Sequence, residues 1–229
     1  MLIQIFRSCD SIQEAIIISL FVVIITLITL TVHEVSHGYA AYKLGDPTAR
    51  NFGRLSLNPL KHLDPIGTVS MLLFGFGWAK PVPINTRYFK KPRRDMALSA
   101  LAGPASNLIM SFFSCFFLLL CAKFIPGTLG SFSGIVIQLL HSFLDYFFRL
   151  NLMLAVFNLL PFPPLDGSRI FLTFLPPKYY FGIMKYEQYI SIAIMLLLLN
   201  GAFAGVLSAA SKAIASCFIG FWRLLPIFG

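Results

Sequence analysis

Charge is what this sequence has least of: nine Asp/Glu and eighteen Lys/Arg make up 12% of 229 residues, about half the roughly 25% of an ordinary soluble domain. With 57% hydrophobic residues and a mean hydropathy of +0.79, a chain of 25.6 kDa cannot hide its apolar surface in a globule. A water-soluble enzyme or binding domain is therefore excluded, and an integral membrane protein is expected. Cysteine is scarce too. Cys9, Cys115, Cys121 and Cys217 form no C-x-x-C pair and mostly lie in or beside apolar runs, which excludes a zinc knuckle or a disulfide framework and leaves free thiols. No stretch reads as a soluble module, an internal repeat or a low-complexity segment. A single membrane domain over residues 1–229 is expected, with no separate sensing or peptide-binding part.

What is present is a series of long apolar runs. The first, about Ile12 to Leu30, continues without a breaker to Lys43 and lacks a small-residue cleavage site, so it reads as a retained span rather than a signal peptide. Leu44 to Pro65 is rich in Gly, Pro, Asn and Asp and reads as a loop. Ile66 to Trp78 is apolar but short of the roughly 20 residues a spanning helix needs. Together with the basic, two-proline stretch Trp78 to Asn85 it predicts a re-entrant or extended segment near residues 66–85. Further spans are expected at about Met96 to Phe124 and Ile135 to Leu160, and the run from Tyr189 to Phe228 crosses once or twice. The expectation is an all-α polytopic bundle with four to five crossings. The net charge of +9 does not point to nucleic acid, because ten of the eighteen basic residues fall between the first two long runs. By the positive-inside rule that connection is cytoplasmic and the N-terminus lies outside.

The chemistry concentrates in His33, Glu34, Val35, Ser36 and His37, an H-E-x-x-H run. Residues four apart stand one above the other on a helix, so both imidazoles can share a metal ion, with Glu34 on the neighbouring flank as a base. Four His and three Glu in the whole chain would give that pattern by chance on the order of once in a thousand such chains. Ionisable groups inside a membrane helix are costly and usually functional. A catalytic zinc takes three protein ligands and an open position, so a third ligand is needed. The candidates are His62, His141, Asp46, Asp64, Asp95, Asp145, Asp166 and Glu187. Asp166 is preferred because it closes the run Asn158 to Gly167 at the cytoplasmic end of a span, the same depth as the two histidines. A helix N-cap is its alternative reading.

These residues carry a resemblance. The chain resembles the site-2 proteases, intramembrane zinc metalloproteases, through His33 to His37, Gly45 to Arg50, Gly53 to Pro59, His62 to Pro65, Gly77 to Pro83, Ala102 to Asn107 and the Asn158 to Gly167 run. It is similar to the minimal branch of that family, without peptide-binding or nucleotide-sensing domains. The resemblance implies that His33, His37 and Asp166 hold one zinc, that Glu34 is the general base, and that Asn158 can donate to a developing oxyanion. Asn107, in Gly-Pro-x-x-Asn, is the further catalytic candidate, for orienting substrate or site.

The function expected is an intramembrane zinc endopeptidase acting on membrane-spanning proteins in contact with lipid, by Glu-assisted attack of zinc-bound water. The resemblance adds regulated intramembrane proteolysis with the site toward the cytoplasm, and compactness points to a bacterial inner membrane. A metal-binding transporter or channel and a non-catalytic scaffold are the rivals. The intact Glu34 argues against the scaffold, and the lack of clear inverted repeats argues against the transporter. Because a peptide bond in a spanning helix is shielded, the irregular segment near residues 66–85 is expected to offer an edge for an unwound substrate strand.

Overall fold

The structure, a computed structural model, describes residues 11–74, 79–124 and 132–227. Helix α1, Ile12–Lys43, starts on a serine N-cap: the Ser11 side chain accepts from the Glu14 N–H, and Glu14 sits in the first turn. Its 32 residues run about 48 Å at 1.5 Å each, longer than the roughly 30 Å hydrocarbon layer. Helix α2, Thr48–Asn51, and a 3-10 turn at Pro59–Lys61 fold the loop that follows, and α3 covers Pro65–Phe74. Helix α4, Pro92–Phe124, begins with proline at its first position, where no N–H is missed. Then come α5, Phe132–Asn158; α6, Asp166–Leu172; α7, Pro177–Lys185; α8, Glu187–Leu199; and α9, Ala204–Trp222.

Four of these helices, α1, α4, α5 and α9, are long and apolar enough to cross a membrane, so the chain is an all-α integral membrane bundle. Among the described residues there is no β-strand; an isolated antiparallel bridge joins Leu63 to Ala79. The region near residues 66–85 divides. Its first part is the ten-residue α3, too short to span, and its last part, Ala79 to Asn85, is extended as expected. Gly75 and Gly77 fall outside the described residues. The final apolar run is two helices broken at Gly201, whose φ of +73° is available to glycine at little cost. Only α9 of that pair reaches spanning length.

The centre of the bundle is the packing of α4 against α5 and α1. Cys115 of α4 packs with Phe148, Leu152 and Val156 of α5, and side chains of α9, among them Phe218 and Trp222, close over them. The hydroxyls of Ser111 and Ser114 donate across the helix pair to the carbonyls of Phe148 and Leu144, at 3.1 and 3.0 Å. Small polar residues suit such an interface, since lipid gives two apolar helices no reason to associate. Cys115, Cys121 and Cys217 are free thiols, as expected. Cys9 lies outside the described residues.

Candidate metal centre

The H-E-x-x-H run lies on α1, six to ten residues before its end at Lys43. That is roughly 9–15 Å inside the helix terminus. Helical spacing stacks His33 and His37 with their Nε2 atoms 3.0 Å apart. Asp166, in the first turn of α6, places Oδ2 3.2 Å from each of those nitrogens. Three donor atoms thus form a nearly equilateral triangle. Ligands about 2.0–2.1 Å from a tetrahedral zinc stand about 3.3 Å from one another, so the triangle fits one face of such a site. Asp166 Oδ2 is buried and has no hydrogen-bond donor of good geometry, only the two imidazoles. A cation is what that oxygen is arranged to meet.

How Asp166 arrives there follows from its loop. A Cβ on Gly167 would come within 2.3–2.5 Å of the Leu159 and Leu160 backbone, so only glycine lets the chain fold back so tightly onto the end of α5. At the far end of α6, the Arg93 guanidinium donates to the carbonyls of Thr173 at 2.8 Å and Leu172 at 3.3 Å, and also to Leu175. The Thr173 hydroxyl returns a bond to the Arg93 carbonyl. Arg93 therefore clasps the short helix that carries Asp166 to the start of α4, a role invisible in the sequence because its partners are backbone carbonyls. Leu165 occupies the N-cap of α6 and Asp166 follows it, so Asp166 is not the cap.

Helix α4 orients the imidazoles. His37 Nδ1 donates to the Ser99 carbonyl at 2.8 Å, and the Ser99 hydroxyl donates back to the His37 carbonyl. The amide end of Asn107 meets His33 Nδ1 at 3.2 Å. Ligation through Nε2 puts the proton on Nδ1, so the amide oxygen is the group that must face it, a half-turn flip of that side chain. Gly103 lies between: its Cβ would fall 2.3–2.7 Å from both rings. Ser99, Gly103 and Asn107 recur every fourth residue and so share one face. That spacing is present in the sequence, but the Gly-Pro-x-x-Asn motif singles out Asn107 alone, for orienting substrate or site, and in the structure its side chain stands against His33.

Glu34 flanks the triangle and accepts the Val82 N–H at 2.9 Å through Oε2, which ties the extended segment to that carboxylate. Asn158 donates to the Leu154 carbonyl of its own helix at 3.0 Å. Most of the other candidate ligands are engaged elsewhere. Asp46 accepts from Thr48 and Asn85, Asp64 from the Gly67 N–H, and Asp95 from the Lys91 N–H. Asp145 and Glu187 pair with Arg149 and Arg169. His62 is buried, with Nε2 donating to the Ser56 carbonyl at 2.8 Å. Among the described residues, His33, His37 and Asp166 form the group able to hold a metal.

Comparison with known proteins agrees with this geometry. The model of peptidase family M50 matches residues 20–200. YwhC of Bacillus subtilis (strain 168), named as a zinc metalloprotease, is 46% identical over 177 residues, 77% of this chain and 79% of the relative. Rip2 of Mycolicibacterium smegmatis, named likewise, is 28% identical over 203 residues, 85% of this chain and 73% of the relative. No solved structure gives a significant match.

Proposed function

The chain belongs to peptidase family M50, the site-2 proteases, and is an integral membrane zinc metallopeptidase; from that premise we propose that it hydrolyses peptide bonds within or near the transmembrane helix of membrane-anchored proteins. The observation that carries this is the ligand triangle with Glu34 beside it, two of its three corners inside a spanning helix. His33, His37 and Asp166 would hold one zinc per chain. When bound, the metal supplies Lewis acidity and lowers the pKa of water toward about 7.

The remaining work falls to side chains. Val82 fixes Glu34 through Oε2, which leaves Oε1 to take a proton from water and deliver it to the leaving amine. Ser99 and Asn107 hold the imidazoles in the tautomer that turns Nε2 inward. Asn158 precedes the Leu159–Leu160 backbone on which Gly167 packs, and its amide keeps a second N–H after bonding Leu154, available to the scissile carbonyl.

The segment from Ala79 to Asn85 is the edge for substrate, and most of its N–H groups are already engaged or missing. The N–H groups of Lys80, Val82 and Asn85 are spent on the His62 carbonyl, Glu34 and Asp46, and Pro81 and Pro83 have none. The carbonyls of Pro81 and Pro83 remain. An unwound substrate strand would be held by donating its own N–H groups, so proline opposite this edge would be rejected. The ten basic residues from Lys43 to Arg94 support a site toward the cytoplasm, which we read as that of a bacterial inner membrane. Regulated release of a cytosolic factor from its anchor, after an outer cut, fits that placement.

The test compares membrane proteins of cells expressing the wild type and Glu34→Gln. Fragments whose new ends fall inside a spanning segment should appear only with the wild type, while purified Glu34→Gln retains zinc and Asp166→Ala loses it. Such fragments at equal abundance in both strains would overturn the assignment of Glu34.

A further inference from the structure

The outward faces of two spanning helices are unlike each other. Helix α1 turns Ile12, Ile16, Ile17, Leu20, Ile24 and Ile28 outward, a surface suited to lipid. Helix α5 also exposes apolar side chains, Ile135, Leu139 and Met153 among them, but between these it turns out Gln138, Ser142 and Arg149, with Asp145 half-buried beside them. Asp145 and Arg149 pair at 2.8 Å, yet 73% of the Arg149 side chain stays exposed. Residue 145 is the midpoint of Phe132–Asn158, so the pair lies near the middle of the bilayer, where ionised groups face protein or water and not lipid.

Gln138, Ser142, Asp145 and Arg149 follow one another at intervals of four, three and four, the spacing of a seam between parallel helices. The seam carries one anion and one cation and is neutral. Its amide and hydroxyl each donate and accept. A copy of the same surface, related by an axis along the membrane normal, would bring Arg149 against Asp145 of the partner subunit one turn away. Two such contacts close a ring of alternating charge, an isologous arrangement that needs no other molecule.

We propose that the exposed polar seam of α5, Gln138, Ser142, Asp145 and Arg149, is a dimer interface that binds a second copy of this chain within the membrane. A lone outside helix would need matching charges at the same depth, whereas a second copy always has them.

The experiment is disulfide trapping in native membranes, with the four native cysteines replaced and Ser142→Cys as the probe. The expected result is a covalent dimer of twice the monomer mass, at least tenfold above an Ile24→Cys control on the apolar face of α1. Arg149→Asp should lower the yield at least tenfold, and Asp145→Arg combined with Arg149→Asp should restore it, with zinc content unchanged throughout as the check on folding. A Ser142→Cys yield no higher than Ile24→Cys, trapping onto a different protein, or a swapped pair that does not restore the yield would overturn self-association.

Discussion

The half of the bundle built on α1, α4 and α6 buries polar groups, whereas the half built on α7 to α9 buries very little. In the first, the buried residues include Thr29, His33, His37, Ser99, Asn107 and Ser111. In α9 no residue is buried. In lipid, apolar surface gains nothing by turning inward, so polar groups that must find partners mark where the protein is packed. Much of the polar interior here is the candidate metal centre and what steadies it.

Glycine replacement gives the sharpest way to break this contrast. Gly103→Ala puts a methyl group 2.3–2.7 Å from both imidazoles. Either the rings or α4 must move, and a misplacement of about 1 Å can cost ~100-fold in rate. We expect zinc content to fall as well, read by elemental analysis of purified protein. An active, zinc-replete Gly103→Ala would mean that α4 does not approach the histidines so closely.

Asn107→Ala should have a smaller effect. Loss of a partner that orients a metal-bound histidine typically weakens metal affinity about 10–100-fold. Competition against a chelator reads this directly, and Asn107→Asp, which keeps an acceptor on His33 Nδ1, should recover most of it. If instead affinity is unchanged and turnover alone falls, Asn107 acts on substrate. At the other end of the scale, a Cβ on Gly220 of α9 meets nothing within 4 Å. Gly220→Ala should leave activity and zinc unaltered and shift stability by no more than about 1 kcal/mol, in the favourable direction given alanine's helix propensity. A thermal-shift measurement showing marked destabilisation would mean that α9 is packed more tightly than its exposure indicates.

Much of the metal centre is legible in the sequence. His33 and His37 are four apart on one helix, so local geometry alone brings them together. Asp166 needs the resemblance as well, since spacing leaves seven other candidates, and packing retires most of those by giving them other partners. Arg93 and Val82 are not legible. Arg93 acts on the carbonyls of Leu172, Thr173 and Leu175, and Val82 acts through its own N–H; every residue has a carbonyl and nearly every one an N–H, so composition carries no trace of such bonds.

The sequence by itself determined that this chain is a membrane bundle, where its main spans run and which helix bears the metal-binding pair. Those properties depend on runs of apolar side chains and on a helical period, both local. Tertiary structure decided which carboxylate completes the triangle, that Ser99, Gly103 and Asn107 face the histidines, and that α5 turns an ion pair outward at mid-depth. Each of these depends on which helix faces which, and that is settled by how closely small residues let backbones approach and by where buried polar groups find partners.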